Sequence, residues 1–213
     1  MQSLDFQFLA LPGAVLVFIT ALLLLSVQDW RILLAMLSVQ YIGVFILVAI
    51  QWPLMMALTK LVSGLICVAV LGMAMASSVE ASRENHVEGI QPRSQRISSH
   101  SFSTSVFRLV AAAMIALVVL SLAPAVSRLV PGIQYEQVIG ALILMGLGLL
   151  HLGLTANTLR VILALLTTLS GFEIIYAAVE VSTLVAGLLA GVSLGLAMVG
   201  AYLFVAATVK GEG

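Results

Sequence analysis

Few residues in this chain have side chains able to carry a charge or move a proton, and Glu173 is the foremost of them. It lies in NTLRVILALLTTLSGFEIIYAAVE, residues 157–180, where Arg160 is followed by three apolar turns and then the acid. A carboxylate at that depth of a membrane helix costs about a few kcal/mol or more, so it faces protein or water and commonly marks an ion or proton path. Glu180 follows seven residues later on the same helical face, about two turns on. The two acids describe a short proton path from mid-membrane to one surface. The plainer alternative is a wet helix end at Glu180 and a buried hydrogen bond at Glu173. Lys60 is the only lysine inside an apolar segment. At a helical rise of about 1.5 Å per residue, Lys60 and Glu173 each fall about 10 Å below the same surface. At equal depth they can pair and stabilise each other's charged forms; alternatively the lysine stem snorkels to the interface alone. His151 sits one turn from the end of its segment. It suits a relay, because imidazole titrates near neutral pH, or an interhelical hydrogen bond. Gln40 and Tyr41 are further polar groups in a span, of the kind that joins membrane helices at about 0.6 kcal/mol each.

The elements that position these residues follow from composition. Of 213 residues, 62% are hydrophobic and 8% charged, against about a quarter charged in a soluble domain. The chain therefore belongs to the membrane class. Its net charge of zero suggests no nucleic-acid partner. Cys67, the single cysteine, has no partner for a disulfide or a metal and is expected to be a small packing residue. The N-terminal MQSLDFQF lacks a basic region, so the first apolar segment is expected to stay in the membrane. No phosphate loop, nucleophile elbow, dinucleotide fingerprint or cysteine cluster is present, and no cofactor or metal is expected.

A span needs about 20 apolar residues. That ruler predicts an all-α integral membrane protein with about seven transmembrane helices, near 8–27, 32–50, 53–76, 106–127, 135–155, 158–179 and 182–208. Residues 78–105, with the serine-rich SQRISSHSFSTS, read as an exposed polar loop in which His86 and His100 have no ligand spacing. Arg31, Arg83, Arg93, Arg96, Arg108, Arg160 and Lys210 fall on one side of the bilayer and only Arg128 on the other. The positive-inside rule then predicts the N-terminus outside and the C-terminus inside, with Lys60 and Glu173 nearer the outer surface. RILLAMLS from Arg31 matches RVILALLT from Arg160, and LGMAM at 71–75 matches LGLAM at 194–198. Residues 1–77 and 131–213 are thus read as two parallel three-helix units, joined by a linking helix in 106–130. Parallel repeats occur in some transporters; chance similarity between apolar helices is the alternative. In the last helix Gly187, Gly191 and Gly195 form a ridge of small residues expected to let another helix approach closely.

The arginine that opens a helix, followed by GFEIIYA around a membrane glutamate, resembles the three-helix K subunit of complex I and related subunits of multisubunit cation/proton antiporters. The full-length arrangement is similar to membrane component E of hydrogenase-4 and formate-hydrogenlyase complexes. The resemblance is carried by Trp30-Arg31 with Gln40 nine residues on, Thr59-Lys60, Asn157-x-Leu-Arg160 and Glu173. It implies a non-redox membrane subunit of a redox-driven proton or sodium pump in the bacterial or archaeal cytoplasmic membrane, with antiporter-like and iron–sulfur or hydrogenase-like partners. Two departures stand out. The family's helix-6 acid comes about one turn earlier after the arginine, and a second acid found in the K subunit is replaced here by Gly191 before VSLGLA. Lys60 or a partner subunit would supply the missing group. A stand-alone proton-coupled transporter and a purely structural adaptor are the competing expectations.

Overall fold

The computed structural model describes the backbone at residues 6–87 and 101–210 and the side chains at 8–80 and 106–206. A 3-10 turn at Phe6–Leu9 leads into α1 (Ala10–Ser26), followed by α2 (Trp30–Val48), α3 (Leu54–Val87), α4 (Ser101–Leu129), α5 (Tyr135–Gly153), α6 (Thr158–Val179) and α7 (Thr183–Lys210). Six of these helices are long and apolar enough to cross a membrane, and α1 is a shorter apolar helix of 17 residues. Helices satisfy every backbone group within the segment, which is why they are the solution for a chain this apolar. The protein is an all-α, multi-pass membrane protein.

Short connections make successive helices antiparallel, so the bundle has two distinct ends. Within 1–77 α1 packs on α2 and α2 on α3; within 131–213 α5 packs on α6 and α6 on α7. The two sets lie against each other position by position, α1 on α5, α2 on α6 and α3 on α7, with α4 covering α5 and touching α1. Their interiors merge. One apolar cluster joins Val17, Val44, Leu47, Ala57, Leu144 and Ile174, and a second joins Leu24, Leu37, Tyr41, Leu71, Leu163 and Leu166. Cys67 is fully buried in the second cluster as a packing residue.

One expectation is corrected, and one surface is located. The polar loop assigned to 78–105 is helical at both ends, through Val87 and again from Ser101. SSVEASRENHV contains neither glycine nor proline, so helix propensity persists where the apolar signal stops. Residues 88–100, with Arg93, Arg96 and His100, lie outside the described residues, as do the side chains of Arg83, Glu84 and His86. The glycine ridge on α7 is not an internal packing surface. A Cβ placed on Gly187, Gly191 or Gly195 meets nothing within 4 Å. The close approach is made by Gly171 of α6 instead, where a Cβ would lie 2.6 Å from the Ala141 carbonyl oxygen and 2.9 Å from the Met145 amide of α5. Gly148 of α5 is seated in the same way against Thr168 and the Ala164 carbonyl of α6.

The end holding the α2–α3, α4–α5 and α6–α7 connections is tied by amides. Gln51 Nε2 donates to the Gly132 carbonyl at 2.8 Å and to Gln137 Oε1 at 3.1 Å. Gln137, fully buried, donates through Nε2 to the Leu47 carbonyl at 2.7 Å, one of the carbonyls left over at the end of α2. Gly132 has φ +86°, a left-handed turn that suits glycine.

Replacement of Gly171 by alanine is expected to cost about 1–3 kcal/mol, because the clash is with backbone that a rotamer change cannot relieve. Thermal unfolding in mild detergent checks this, with Gly191→Ala on the open ridge as the control expected to leave the midpoint unchanged. Equal midpoints for the two variants would contradict the packing described.

Candidate functional site

Lys60 lies six residues into α3 and Glu173 six residues before the end of α6. Both are therefore about 9 Å below the amide-tied end of the bundle. The structure brings them together: Lys60 Nζ is 2.5 Å from Glu173 Oε2, and the side chains are 6% and 2% exposed. Snorkelling of Lys60 is thus overturned. The helices α3 and α6 are not an extensively packed pair, so the two long side chains bridge them through space bordered by α2 and α7. Two charges removed from water are stabilised only if their geometry is good and other polar groups or dipoles help. Here Lys60 Nζ also donates to Ser193 Oγ of α7 at 3.3 Å. Its ammonium sits 5.4 Å from the ring centroid of Tyr41 of α2, within range of a cation–π attraction. Tyr41 is held there by Gly64 of α3, where a Cβ would lie 2.6 Å from the ring.

The second carboxylate oxygen, Glu173 Oε1, is buried with no hydrogen-bond partner among the described residues. A cavity of about 10 Å³ borders the pair, lined by Val48, Trp52, Met56, Thr59, Ala186 and Leu189. That is about the room one water needs. Trp52, 5% exposed, closes the cavity toward the bundle end, and its Nε1 donates to the Glu180 carbonyl at 3.0 Å. The arrangement is a buried ion pair with one unengaged carboxylate oxygen, beneath an indole plug. Such a carboxylate is equipped to exchange a proton when its partner moves. No family model, curated protein or solved structure matches this chain.

The other predicted residues lie elsewhere. Glu180 is the C-cap of α6, with extended backbone (φ −141°, ψ 135°) and an exposed side chain. The helical face expected to align it with Glu173 ends one residue earlier, at Val179, and Trp52 stands between. His151 is buried, 4% exposed, in the last turn of α5. It lies about 20 Å in depth from Glu173, counting 13 residues of rise from the two helix ends. It is not part of this site. Gln40 joins α2 to α6, donating through Nε2 to Thr167 Oγ1 at 3.3 Å.

Ser193 and Trp52 were not singled out from the sequence. A serine among glycines and leucines on α7 has no spacing that marks it, whereas Trp52 beside Pro53 at a helix start is the kind of interfacial aromatic that could have been noticed.

Removing one partner should cost far more than removing both. Lys60→Met leaves an unpaired buried carboxylate, and a loss of about 3–5 kcal/mol is expected. The double variant Lys60→Met/Glu173→Gln should recover much of it. Unfolding midpoints of the two single variants and the double check this; additive losses would show that the pair is not coupled.

Proposed function

We propose that the chain is a non-redox membrane subunit of a complex I-like, redox-driven proton (or sodium) translocating assembly, of the type represented by hydrogenase-4 component E. The observation that carries this reading is the Lys60–Glu173 pair, two opposite charges buried in contact about 9 Å below one end of the bundle. Intramembrane ionisable pairs of this kind characterise ion and proton pathways. The concentration of arginines at the other end supports a placement with the N-terminus outside and the C-terminus inside the bacterial or archaeal cytoplasmic membrane. The pair then lies toward the outer surface.

The mechanism is electrostatic. Electrons move in peripheral iron–sulfur or hydrogenase-like subunits, and a charge change in a neighbouring antiporter-like subunit draws Lys60 away from Glu173. The carboxylate accepts on the unengaged Oε1 a proton that the neighbouring subunit delivers from the inner side. When Lys60 returns, the proton is expelled toward the outer end, past Trp52. The exposed Glu180 lies beyond that plug as an acceptor at the surface. The partners seat on α7, whose spanning window is only 17% buried within the chain.

A structural adaptor is the second reading, supported by the open ridge of Gly187, Gly191 and Gly195. In that case the ion pair serves assembly alone. Purification of the tagged chain in mild detergent is expected to bring antiporter-like and iron–sulfur subunits with it. Glu173→Gln in that complex should leave assembly and electron transfer in place and abolish most of the ion translocation. Assembly with intact pumping would favour the adaptor, and a chain that purifies alone would refute both.

A further inference from the structure

At the end of the bundle opposite the ion pair, polar groups from three helices converge on the end of α1. Arg108 of α4 donates through Nη1 to the Leu25 carbonyl at 3.2 Å, and Arg160 of α6 donates through Nη2 to the Val27 carbonyl at 2.7 Å. Both carbonyls are among those a helix end leaves unpaired. A guanidinium carries five N–H donors, so each arginine keeps donors beyond the one engaged with α1. Both side chains are half-buried rather than sealed. His151 of α5, buried in the last turn of its helix, lies at this same end of the bundle, within the field of both guanidiniums. Its Nε2 is buried without a hydrogen-bond partner among the described residues. Among the described residues neither arginine pairs with a carboxylate: the ion pair there is Lys60–Glu173, and Asp29, two residues beyond Val27, is exposed.

Two permanent positive charges with no carboxylate partner among the described residues, at the same bundle end as a buried imidazole nitrogen, form an anion site. The first turn of α6, which carries Arg160, adds the positive end of a helix. Depth selects the anion. Arg108, Arg160 and His151 each lie two residues from the end of their apolar span, about 3 Å of rise, at the level where lipid phosphates sit. Phe107 and Leu109 flank Arg108 and are each 60% exposed on lipid-facing α4, a surface for acyl chains directly beside the guanidinium. Basic pockets between transmembrane helices hold anionic headgroups in this way. We propose that Arg108, Arg160 and His151 bind the phosphate of one anionic phospholipid.

Native mass spectrometry of the full chain tests this, titrated with phosphatidylglycerol, phosphatidylcholine or inorganic phosphate. The intact chain should retain phosphatidylglycerol at least about fivefold more tightly than phosphatidylcholine. Arg108→Gln should weaken phosphatidylglycerol about fivefold, and His151→Leu about threefold, with phosphatidylcholine unchanged. His151→Leu is the deciding variant if Arg108→Gln loses helical circular dichroism. Equal retention of the two lipids, or wild-type retention of phosphatidylglycerol by His151→Leu, would overturn the proposal. Displacement of phosphatidylglycerol by millimolar inorganic phosphate would also overturn it, making free phosphate the ligand.

Discussion

A charge inside hydrocarbon must be paired, and in this protein that constraint joins two helices that otherwise share little contact. Lys60 and Glu173 meet because α3 and α6 each bring a charged residue to the same depth. The neighbourhood is arranged around them. Ser193 accepts a hydrogen bond from the ammonium, the Tyr41 ring faces it, and Gly64 leaves room for that ring. Breaking the pair would leave an uncompensated charge in a low-dielectric interior. The direct link between α3 and α6 at this depth therefore depends on the charge state of one carboxylate. On the proposed reading, that dependence is what a neighbouring subunit exploits.

The two ends of the bundle are secured differently. At one end, amides of Gln51 and Gln137 bind loop and helix carbonyls. At the other, two arginines hold the carbonyls that terminate α1. Between them the core is apolar apart from the ion pair and a few interhelical polar contacts such as Gln40 with Thr167. Fixed ends with a charge pair between them favour a local change at the pair over a wholesale rearrangement. The indole of Trp52 lines the cavity beside the pair and ties that end of the bundle to the Glu180 carbonyl.

Much of this was legible from residue order. Long apolar runs identified the helices, and α6 begins and ends where expected, because Asn157 caps it and Glu180 stops it. Equal depth pointed to Lys60 with Glu173, since counting residues along two helices needs no tertiary information. What eluded the sequence was rotational. Whether Gly187 or Gly171 faces a neighbour depends on which side of each helix turns inward, and in a membrane both sides are apolar. His151 was drawn into the relay by its chemistry alone, although its own position near the end of α5 already separated it from Glu173 by about 20 Å. The extensions of α3 and α4 were missed because hydropathy reports the bilayer and not the helix.

Lys60 and Glu173 form a direct ion pair within the membrane-spanning bundle. Solid-state NMR tests it on the full chain in lipid bilayers, with nitrogen-labelled lysine and carboxyl-labelled glutamate, using Glu173→Gln to assign the signal. A direct contact at 2.5 Å predicts strong through-space dipolar coupling between the Lys60 ammonium nitrogen and the Glu173 carboxylate carbon. Absence of that coupling, with Lys60 showing the exchange of a water-exposed amine, would contradict the account.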